Sequence, residues 1–452
     1  MDTGLSSRRV HGDHSMIAEQ KNALSGRSVR FGLACVLLVF VGLSLAAALK
    51  TPSGVSDDES SHVQNVETLV AGHWYGMHLG AVRIVHIYGE PFNVGASSGL
   101  EAHQPPLYYL TLAGWQRLLG LPVGTPQSLG YSFTTHRPNH LLLWLRVPNI
   151  MLGVLAIWFT FLAARLVTND PWTPVVAASI IGFVPRFVFL SAYVTNDNLV
   201  DFLAAVLTYF ALRYTYSPNR WRLALVGAIV GLLAVTKLSA LPLALVVPVL
   251  ASMQRGWFKR AELFAVGIAA FLVTSGWFLI QNTVRYGSPL ATGATRTYLA
   301  QIQGTGLAYG VQYNVTNPVN LVFGDVPDKI FHAFWYGDVL VDPVFHNLSV
   351  PLPVNLLFWA ALAFALLGLL GRNVSSRAVA VLAVLAATGF LSVWIVAFQT
   401  KSYDPRLALA GMPALACLAA LGLERWKVRI RVLMPMLLLS ATLFAVQQNV
   451  VH

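Results

Sequence analysis

An acidic segment after the first long apolar stretch carries residue types that catalysis needs. Asp57, Asp58 and Glu59 stand in a row, and His62 follows one helical turn after Asp58. Adjacent like charges raise one another's pKa values, which suits a general base or a cation site. The same spacing also forms a capping box, because Ser56 and Glu59 can cap a helix that begins there. Capping and catalysis are compatible, and both interpretations stay open.

Four further motifs carry ionisable or hydrogen-bonding groups near the ends of apolar stretches. They are the His103-Gln-Pro-Pro segment, the turn at Asn196-Asp197, Lys237, and the Lys401-to-Arg406 segment that contains Tyr403. Each alone has a plain structural explanation. Paired prolines start an amphipathic helix over 105–120, Asn and Asp cap turns, and interfacial cations snorkel to lipid headgroups. Together on one membrane face, the acids and cations indicate a site for the phosphate of an anionic lipid.

The composition indicates which kind of fold positions these groups. Hydrophobic residues make up 56% of the 452-residue chain and charged residues 11%, against about 25% in soluble domains. The net charge is +11, but Lys and Arg fall mainly in short loops between apolar stretches, where they set membrane orientation. No basic patch interleaves with aromatic residues, so we expect no nucleic-acid partner. Cys35 and Cys417 both lie in apolar stretches, which excludes a disulfide framework.

The apolar stretches predict an all-α, polytopic transmembrane bundle of about eleven spans. Residues 1–30 are expected to form a disordered cytoplasmic tail, and residues 31–452 a single transmembrane domain. Basic short loops recur on the side of the tail, which places the N-terminus inside. The spans are expected near 31–49, 142–165, 173–194, 198–214, 222–235, 239–253, 261–280, 352–371, 378–398, 407–423 and 432–448.

Two long segments then face outward, over about 50–141 and 281–351. Long loops in compact proteins are usually functional or disordered, and these two are not of low complexity. We expect juxtamembrane and interfacial helices in the first of them. The ionisable groups gather at one membrane face. They form no continuous path across the midplane of the membrane, where a transporter would need charged groups.

The motifs also occur in an order that resembles the GT-C superfamily of membrane glycosyltransferases. The order runs from Asp58-Glu59-x-x-His62 through His103-Gln-Pro-Pro-Leu-Tyr-Tyr, Leu145-Arg-Val-Pro-Asn, Asn196-Asp197 and Thr236-Lys237 to Arg406. The sequence is most similar to the bacterial members related to protein O-mannosyltransferases and the lipid A aminoarabinose transferase. One motif departs from the family, because Pro405-Arg406-Leu407 stands where relatives have Gly-Arg-Tyr.

The resemblance implies a role for each matched residue. Asp58 would be the catalytic base, with Glu59 beside it. Because Asp57 directly precedes Asp58, either of the two could be the base. Asp197 would be the second acid, and His62 and His103 would lie on the acceptor side. Lys237, Arg406 and Tyr403 would hold the donor phosphate. A divalent cation, Mg²⁺ or Mn²⁺, at Asp58 and Asp197 stays open, because some relatives use one and others do not.

The implied reaction moves a sugar from a polyprenyl phosphate to an acceptor hydroxyl at the outer face of the plasma (inner) membrane, with inversion. The acceptor would be a lipid, a glycan or a protein. The alternatives are a transporter or flippase for a lipid-linked or small polar substrate, and a non-catalytic membrane partner. The sequence leaves the sugar and the oligomeric state open.

Overall fold

The computed structural model describes residues 6–51, 58–77, 100–124, 140–303, 317–335, 352–370, 375–399, 404–426 and 428–451. These residues form helices and no strand, which confirms the predicted all-α class. Asp57 and Tyr403, and parts of both predicted outer loops, lie outside the described residues.

Helices follow one another along the whole of the described chain. The first half contains α1 Ser6–Lys50, α2 Glu59–Val70, a 3₁₀-helix Leu100–His103, α3 Leu107–Leu118, α4 His140–Val167, α5 Thr173–Gly182, α6 Pro185–Ser191, α7 Asp197–Tyr216 and α8 Arg220–Ala234. A second 3₁₀-helix Leu238–Leu245, α9 Val246–Ser252, α10 Trp257–Tyr286 and α11 Thr292–Gln303 come next. The remainder contains α12 Pro318–Asn320, a π-helical turn Leu321–Asp325, α13 Val326–Ala333, α14 Leu352–Leu367, α15 Ser376–Gln399, a third 3₁₀-helix Pro405–Gly411, α16 Met412–Leu423, α17 Val428–Arg431 and α18 Leu433–Val451.

Helix α1 includes residues that the sequence assigns to a disordered tail. It begins at Ser6, so most of the segment 1–30 is helical. The stretch from Ile17 to Leu24 contains Ala, Glu, Gln, Lys and Leu, which are good helix formers. The predicted position of residues 1–30 on the cytoplasmic side stays a prediction.

The structure contains six helices that are long and apolar enough to cross a membrane, counted over the described ranges. A seventh span is formed if α5 and α6 count as one, although they meet at a bend of 66°. These helices make the chain an integral membrane protein, whereas the predicted eleven spans are not confirmed. Helix α8 has 15 residues, too few for a span of about 20. Helix α7 has 20, but it carries Asp197, Asp201 and Arg213.

The segment 405–423 lies at the centre of the bundle and α10 at its periphery. Of the 18 most apolar consecutive residues in 405–423, 94% are buried inside the protein, against 22% of those in α10. A face of α10 that is exposed in the protein can contact lipid at no cost, since lipid is as apolar as the side chains. The third 3₁₀-helix begins this segment and places Arg406, which is partly buried, near its start.

Small residues let α8 and α10 pack closely. A Cβ atom at Gly227 would lie 2.1 Å from the carbonyl oxygen of Gly267. Gly231, one helical turn further on, faces Thr274 of α10 in the same way. Glycine at these positions brings two backbones into contact, as in other membrane helix pairs. The close packing fixes the end of α8, after which Lys237 follows.

Candidate active site

Four separate segments bring their charged residues together at one end of the bundle. Asp58 precedes α2, Asp197 begins α7, Lys237 follows α8, and Arg406 lies in the third 3₁₀-helix. The contacts among them form an ion-pair network that spans most of the chain length. The sequence predicted that these residues act together, and the structure places them side by side.

Arg406 is the centre of this network. Its Nη2 lies 2.5 Å from Asp58 Oδ2, and its Nε lies 3.5 Å from Asp197 Oδ2. The Nε also lies 2.8 Å from Asp404 Oδ2, as an ion pair outside hydrogen-bond geometry. Lys237 Nζ donates to Asp197 Oδ1 over 2.6 Å. Both predicted phosphate-binding cations are therefore paired with acids.

Asp404 holds the beginning of the third 3₁₀-helix. Its Oδ1 accepts the backbone N–H of Arg406 over 2.9 Å, as a helix cap does. Its carboxylate also pairs with the Arg186 guanidinium. Burial raises the pKa of Asp404, but Arg186 and Arg406 outweigh this effect and hold the pKa below its usual value. Asp404 is therefore a charged anchor for the Arg406 backbone.

The backbone at Asp58 is left-handed, with φ 44°. A non-glycine residue adopts this conformation at a cost of about 1–2 kcal/mol, so neighbouring contacts must hold it. Glu59 supplies them, because its carboxylate accepts two hydrogen bonds from Arg146, at 2.9 and 2.6 Å, and one from the Val194 N–H at 3.0 Å. Glu59 and Arg146 are fully buried. Glu59 thus points away from the network while Asp58 points into it.

Burial and Arg406 act on the Asp58 carboxyl in opposite directions. Burial raises the pKa of Asp58, but the guanidinium of Arg406 and the nearby His62 and Lys237 lower it further than burial raises it. The net pKa lies below the usual value, so Asp58 is ionised at neutral pH. A carboxylate in this state can accept a proton.

His62 and Glu101 lie beside Asp58 in a buried aromatic cluster. The His62 Nδ1 and the Tyr109 hydroxyl form a hydrogen bond of 2.8 Å, and their rings stack. Burial lowers the pKa of His62 more than the acids Glu101 and Asp58 raise it, which keeps the ring neutral. Burial raises the pKa of Glu101, helped by Asp58 and opposed mainly by His62.

The structure also indicates which residues could hold a divalent cation. One ligand atom each from Asp58, His62 and Glu101 lies within 4.8 Å of the others. An imidazole and two carboxylates fit Zn²⁺ or Mn²⁺ in kind. The pair Asp58 and Asp197, expected from the sequence, fits less well, because both Asp197 oxygens face the cations Lys237 and Arg406.

A cleft opens next to the network. Its lining includes Trp74, His103, Gln104, Arg285 and Tyr286. The Gln104 Oε1 accepts a hydrogen bond of 3.2 Å from Asn196, the residue before Asp197. Gln104 therefore lies between the cleft and the network, and His103, predicted for the acceptor side, lines the cleft with its ring Nε2 3.1 Å from Gln104 Nε2.

Sequence reasoning missed three residues that hold the site together, Arg146, Arg186 and Asp404. Arg146 and Asp404 stood inside motifs that the sequence singled out, at Leu145-Arg-Val-Pro-Asn and Lys401-to-Arg406. Their signal was a charge inside or next to an apolar stretch, where an unpaired charge is expensive. Arg186 carried the same signal after Pro185, inside the predicted span 173–194, although it belonged to none of those motifs.

Comparison with known families matches part of the chain. Residues 139–280 match the family model described as dolichyl-phosphate-mannose-protein mannosyltransferase. This stretch includes Asp197 and Lys237 of the network. It also includes Arg146, which pairs with Glu59. No curated protein matches the chain.

Solved structures share the fold over most of the chain. ArnT from Cupriavidus metallidurans bound to undecaprenyl phosphate is 18% identical with a TM-score of 0.50, covering 89% of this chain and 61% of ArnT. The Archaeoglobus fulgidus oligosaccharyltransferase in complex with Zn and sulfate is 15% identical with a TM-score of 0.52, covering 92% and 52%. Arabinofuranosyltransferase AftD from Mycobacteria is 16% identical with a TM-score of 0.50, covering 93% and 26%.

These matches confirm the resemblance to the GT-C superfamily that the motif order indicated. The chain has the GT-C type of fold, as a multi-pass membrane protein. It spans about three fifths of the length of ArnT, with 61% of that protein covered. At these identities the solved structures show the shared fold alone.

Proposed function

We propose that this protein transfers a sugar from a polyprenyl-phosphate donor to an acceptor hydroxyl at the outer membrane face. The observation that carries the proposal is the joining of Asp58, Asp197, Lys237 and Arg406 from four distant segments into one network. A site for this reaction needs a carboxylate base beside cations that receive a departing phosphate. ArnT, which shares the fold, is known bound to undecaprenyl phosphate, which supports this donor class.

In the proposed step, Asp58 accepts the proton of the acceptor hydroxyl as its oxygen bonds to the anomeric carbon. The bond between that carbon and the phosphate oxygen breaks, and its electrons leave with the phosphate. Attack from the opposite side inverts the anomeric centre. A positioned base contributes roughly 10²–10⁴-fold to such a rate.

The ion pairs add a feature to this step. Arg406 and Lys237 both contact acids, so a donor phosphate that binds them would have to take over part of these contacts. When the guanidinium of Arg406 turns towards the phosphate, its lowering effect on the Asp58 pKa weakens. Burial then makes Asp58 a stronger base. Donor binding would thereby activate the base.

The remaining site residues receive proposed roles that follow their contacts. Glu59 positions Asp58 through its pair with Arg146 rather than acting on substrate itself. The cleft beside Gln104 is the proposed route by which a substrate reaches the network. Asp58, His62 and Glu101 would hold a divalent cation if one takes part, and it would supply positive charge beside the donor phosphate.

The test uses the purified full chain in lipid nanodiscs with undecaprenyl-phosphate sugars of several hexoses and pentoses. Membrane extract from a strain lacking the protein supplies the acceptor. We expect sugar incorporation and release of undecaprenyl phosphate in equal amounts, with inverted anomeric configuration by NMR. The same chain is also reconstituted in sealed proteoliposomes, where movement of the donor across the bilayer without a glycosylated product would overturn the proposal in favour of the transporter alternative.

A further inference from the structure

A buried arginine outside the four catalytic segments joins three helix ends beside Arg406. Arg186 is the second residue of α6 and is 3% exposed. Its guanidinium contacts Asp404 at the start of the third 3₁₀-helix and donates to the Ala333 carbonyl over 2.8 Å. Its backbone N–H donates to the Trp335 carbonyl over 2.9 Å.

These contacts satisfy groups that helix ends leave without partners. The first N–H groups of α6 and the last carbonyls of α13 have no partner within their own helices. The N–H of Arg186 meets the carbonyl of Trp335, just beyond α13, and the guanidinium caps Ala333 inside it. A cation at a helix C-terminus is also favoured by the helix dipole. Pro185, which lacks an N–H, begins α6 without adding another unmet donor.

The Nη2 side of the same guanidinium is linked to Arg406 through one residue, Asp404. Asp404 accepts from Arg186 with the oxygen that also accepts the backbone N–H of Arg406. Its other oxygen lies 2.8 Å from Arg406 Nε. Any shift of Arg186 would therefore move the backbone and the side chain of Arg406 together.

The segment on the other side of Arg186 is itself well anchored. Asn355 and Trp359 of α14 both donate to the Phe331 carbonyl, at 2.6 and 3.0 Å. Trp335 is fully buried among the rings of Phe358 and Trp359. The end of α13 is thus a rigid support against which Arg186 can hold Asp404.

We propose that Arg186 is a positioning residue that sets the place of Arg406 by tying α13 of the second outer segment to Asp404. The expected effect on catalysis rests on the proposed sugar transfer. The positioning of Arg406 by Arg186 does not depend on that reaction. Because Arg406 contacts the phosphate as negative charge develops on it, misplacement should slow the chemical step. Misplacement by about 1 Å can cost roughly 10²-fold in rate.

The kinetic test compares Arg186→Gln, Arg186→Lys and Asp404→Asn with wild type in the nanodisc assay. We expect Arg186→Gln to lower kcat about 10²-fold with the acceptor KM unchanged. Arg186→Lys should recover part of the loss, because it keeps a charge opposite Asp404 without reaching both partners. The double variant Arg186→Gln/Asp404→Asn should lose no more than the worse single variant, as expected for residues acting in series.

Arg431→Gln is the matched control. Arg431 pairs with Asp170 over 3.2 Å and is partly buried, but it lies in α17, outside the network. This variant should keep wild-type kcat even if its thermal stability falls. Equal kcat losses in Arg186→Gln and Arg431→Gln would mean a general stability effect and would overturn the positioning role.

A readout independent of activity separates this inference from the proposed function. Hydrogen–deuterium exchange in Arg186→Gln should rise at 327–335 and at 405–411 together, and stay unchanged in both segments in Arg431→Gln. Unchanged exchange at 405–411 overturns the positioning role. Absence of transfer by wild type, with the exchange result as expected, overturns the proposed function and leaves the Arg186 contact established.

Discussion

At the scale of single residues, the site is defined by charges that neutralise one another. The network pairs three acids, Asp58, Asp197 and Asp404, with three cations, Arg186, Lys237 and Arg406. A buried charge is tolerated only when it is paired and hydrogen-bonded. Removing one member therefore affects stability as well as chemistry, and the two effects must be separated by experiment.

The pair of Lys237 and Asp197 offers such a separation. Both side chains are buried, so Lys237→Met alone should lower the free energy of unfolding by about 3–5 kcal/mol. The double variant Lys237→Met/Asp197→Asn should be more stable than the single one, because no charge is left unpaired, yet it should remain inactive. Thermal unfolding in detergent and the transfer assay measure the two effects. A fully active double variant would contradict a role in phosphate binding.

Glu59 provides a second residue-scale prediction, because it could be catalytic or positioning. Glu59→Gln leaves Arg146 buried without a counter-charge, so the unfolding temperature should fall together with activity. Glu262→Gln is the control. It breaks an exposed pair with Arg220 and should change neither property measurably. A Glu59→Gln protein of wild-type stability that is inactive would instead support direct catalysis by Glu59.

At the scale of elements, helix breaks bring the site together. The bend of 66° between α5 and α6 places Arg186 at a helix N-terminus. The 3₁₀-helix Pro405–Gly411 begins another apolar segment, with Arg406 as its second residue. Irregular backbone at membrane depth is tolerated where it is buried in protein. The surplus of predicted spans has another cause: the stretches predicted near 198–214, 222–235, 239–253 and 352–371 form helices that, in the described ranges, are too short or too polar to count as spans.

Close packing of α8 and α10 should also matter for the site, because Lys237 follows α8. Gly227→Val places a side chain on the Gly267 carbonyl, so the two helices must separate and the unfolding temperature should fall by several degrees. Gly276→Ala on α10 is the control, since nothing lies within 4 Å of its added carbon. Unchanged stability in Gly227→Val would contradict the close contact.

At the scale of the whole molecule, the proposed function requires the network to lie at the outer membrane face. We expect an impermeant maleimide to label His73→Cys, beside α2, on intact cells, and Arg255→Cys, before α10, only after permeabilisation. His73 is exposed and Arg255 is at the surface of the loop before α10. The background carries Cys35→Ser, because Cys35 is exposed and Cys417 is buried. The reverse labelling pattern would invert the proposed topology.

The sequence predicted the helical membrane fold and four members of the network, but not their pairing. Asp58, Asp197, Lys237 and Arg406 could be recognised because charges at the ends of apolar stretches are rare and ordered as in GT-C relatives. The contact between Arg186 and Asp404 joins residues 218 positions apart. Such a pair depends on how helices pack, which no local spacing encodes.

The transfer rate of Asp58→Asn in nanodiscs tests the proposed catalytic base most directly. The amide keeps the size of the side chain but cannot take a proton, so we expect a fall of at least about 10²-fold with the protein folded and inserted. Asp328→Asn, an exposed acid of α13, should keep the wild-type rate. A wild-type rate in Asp58→Asn would contradict the proposed base, and the register would move to Asp57 if Asp57→Asn alone were inactive.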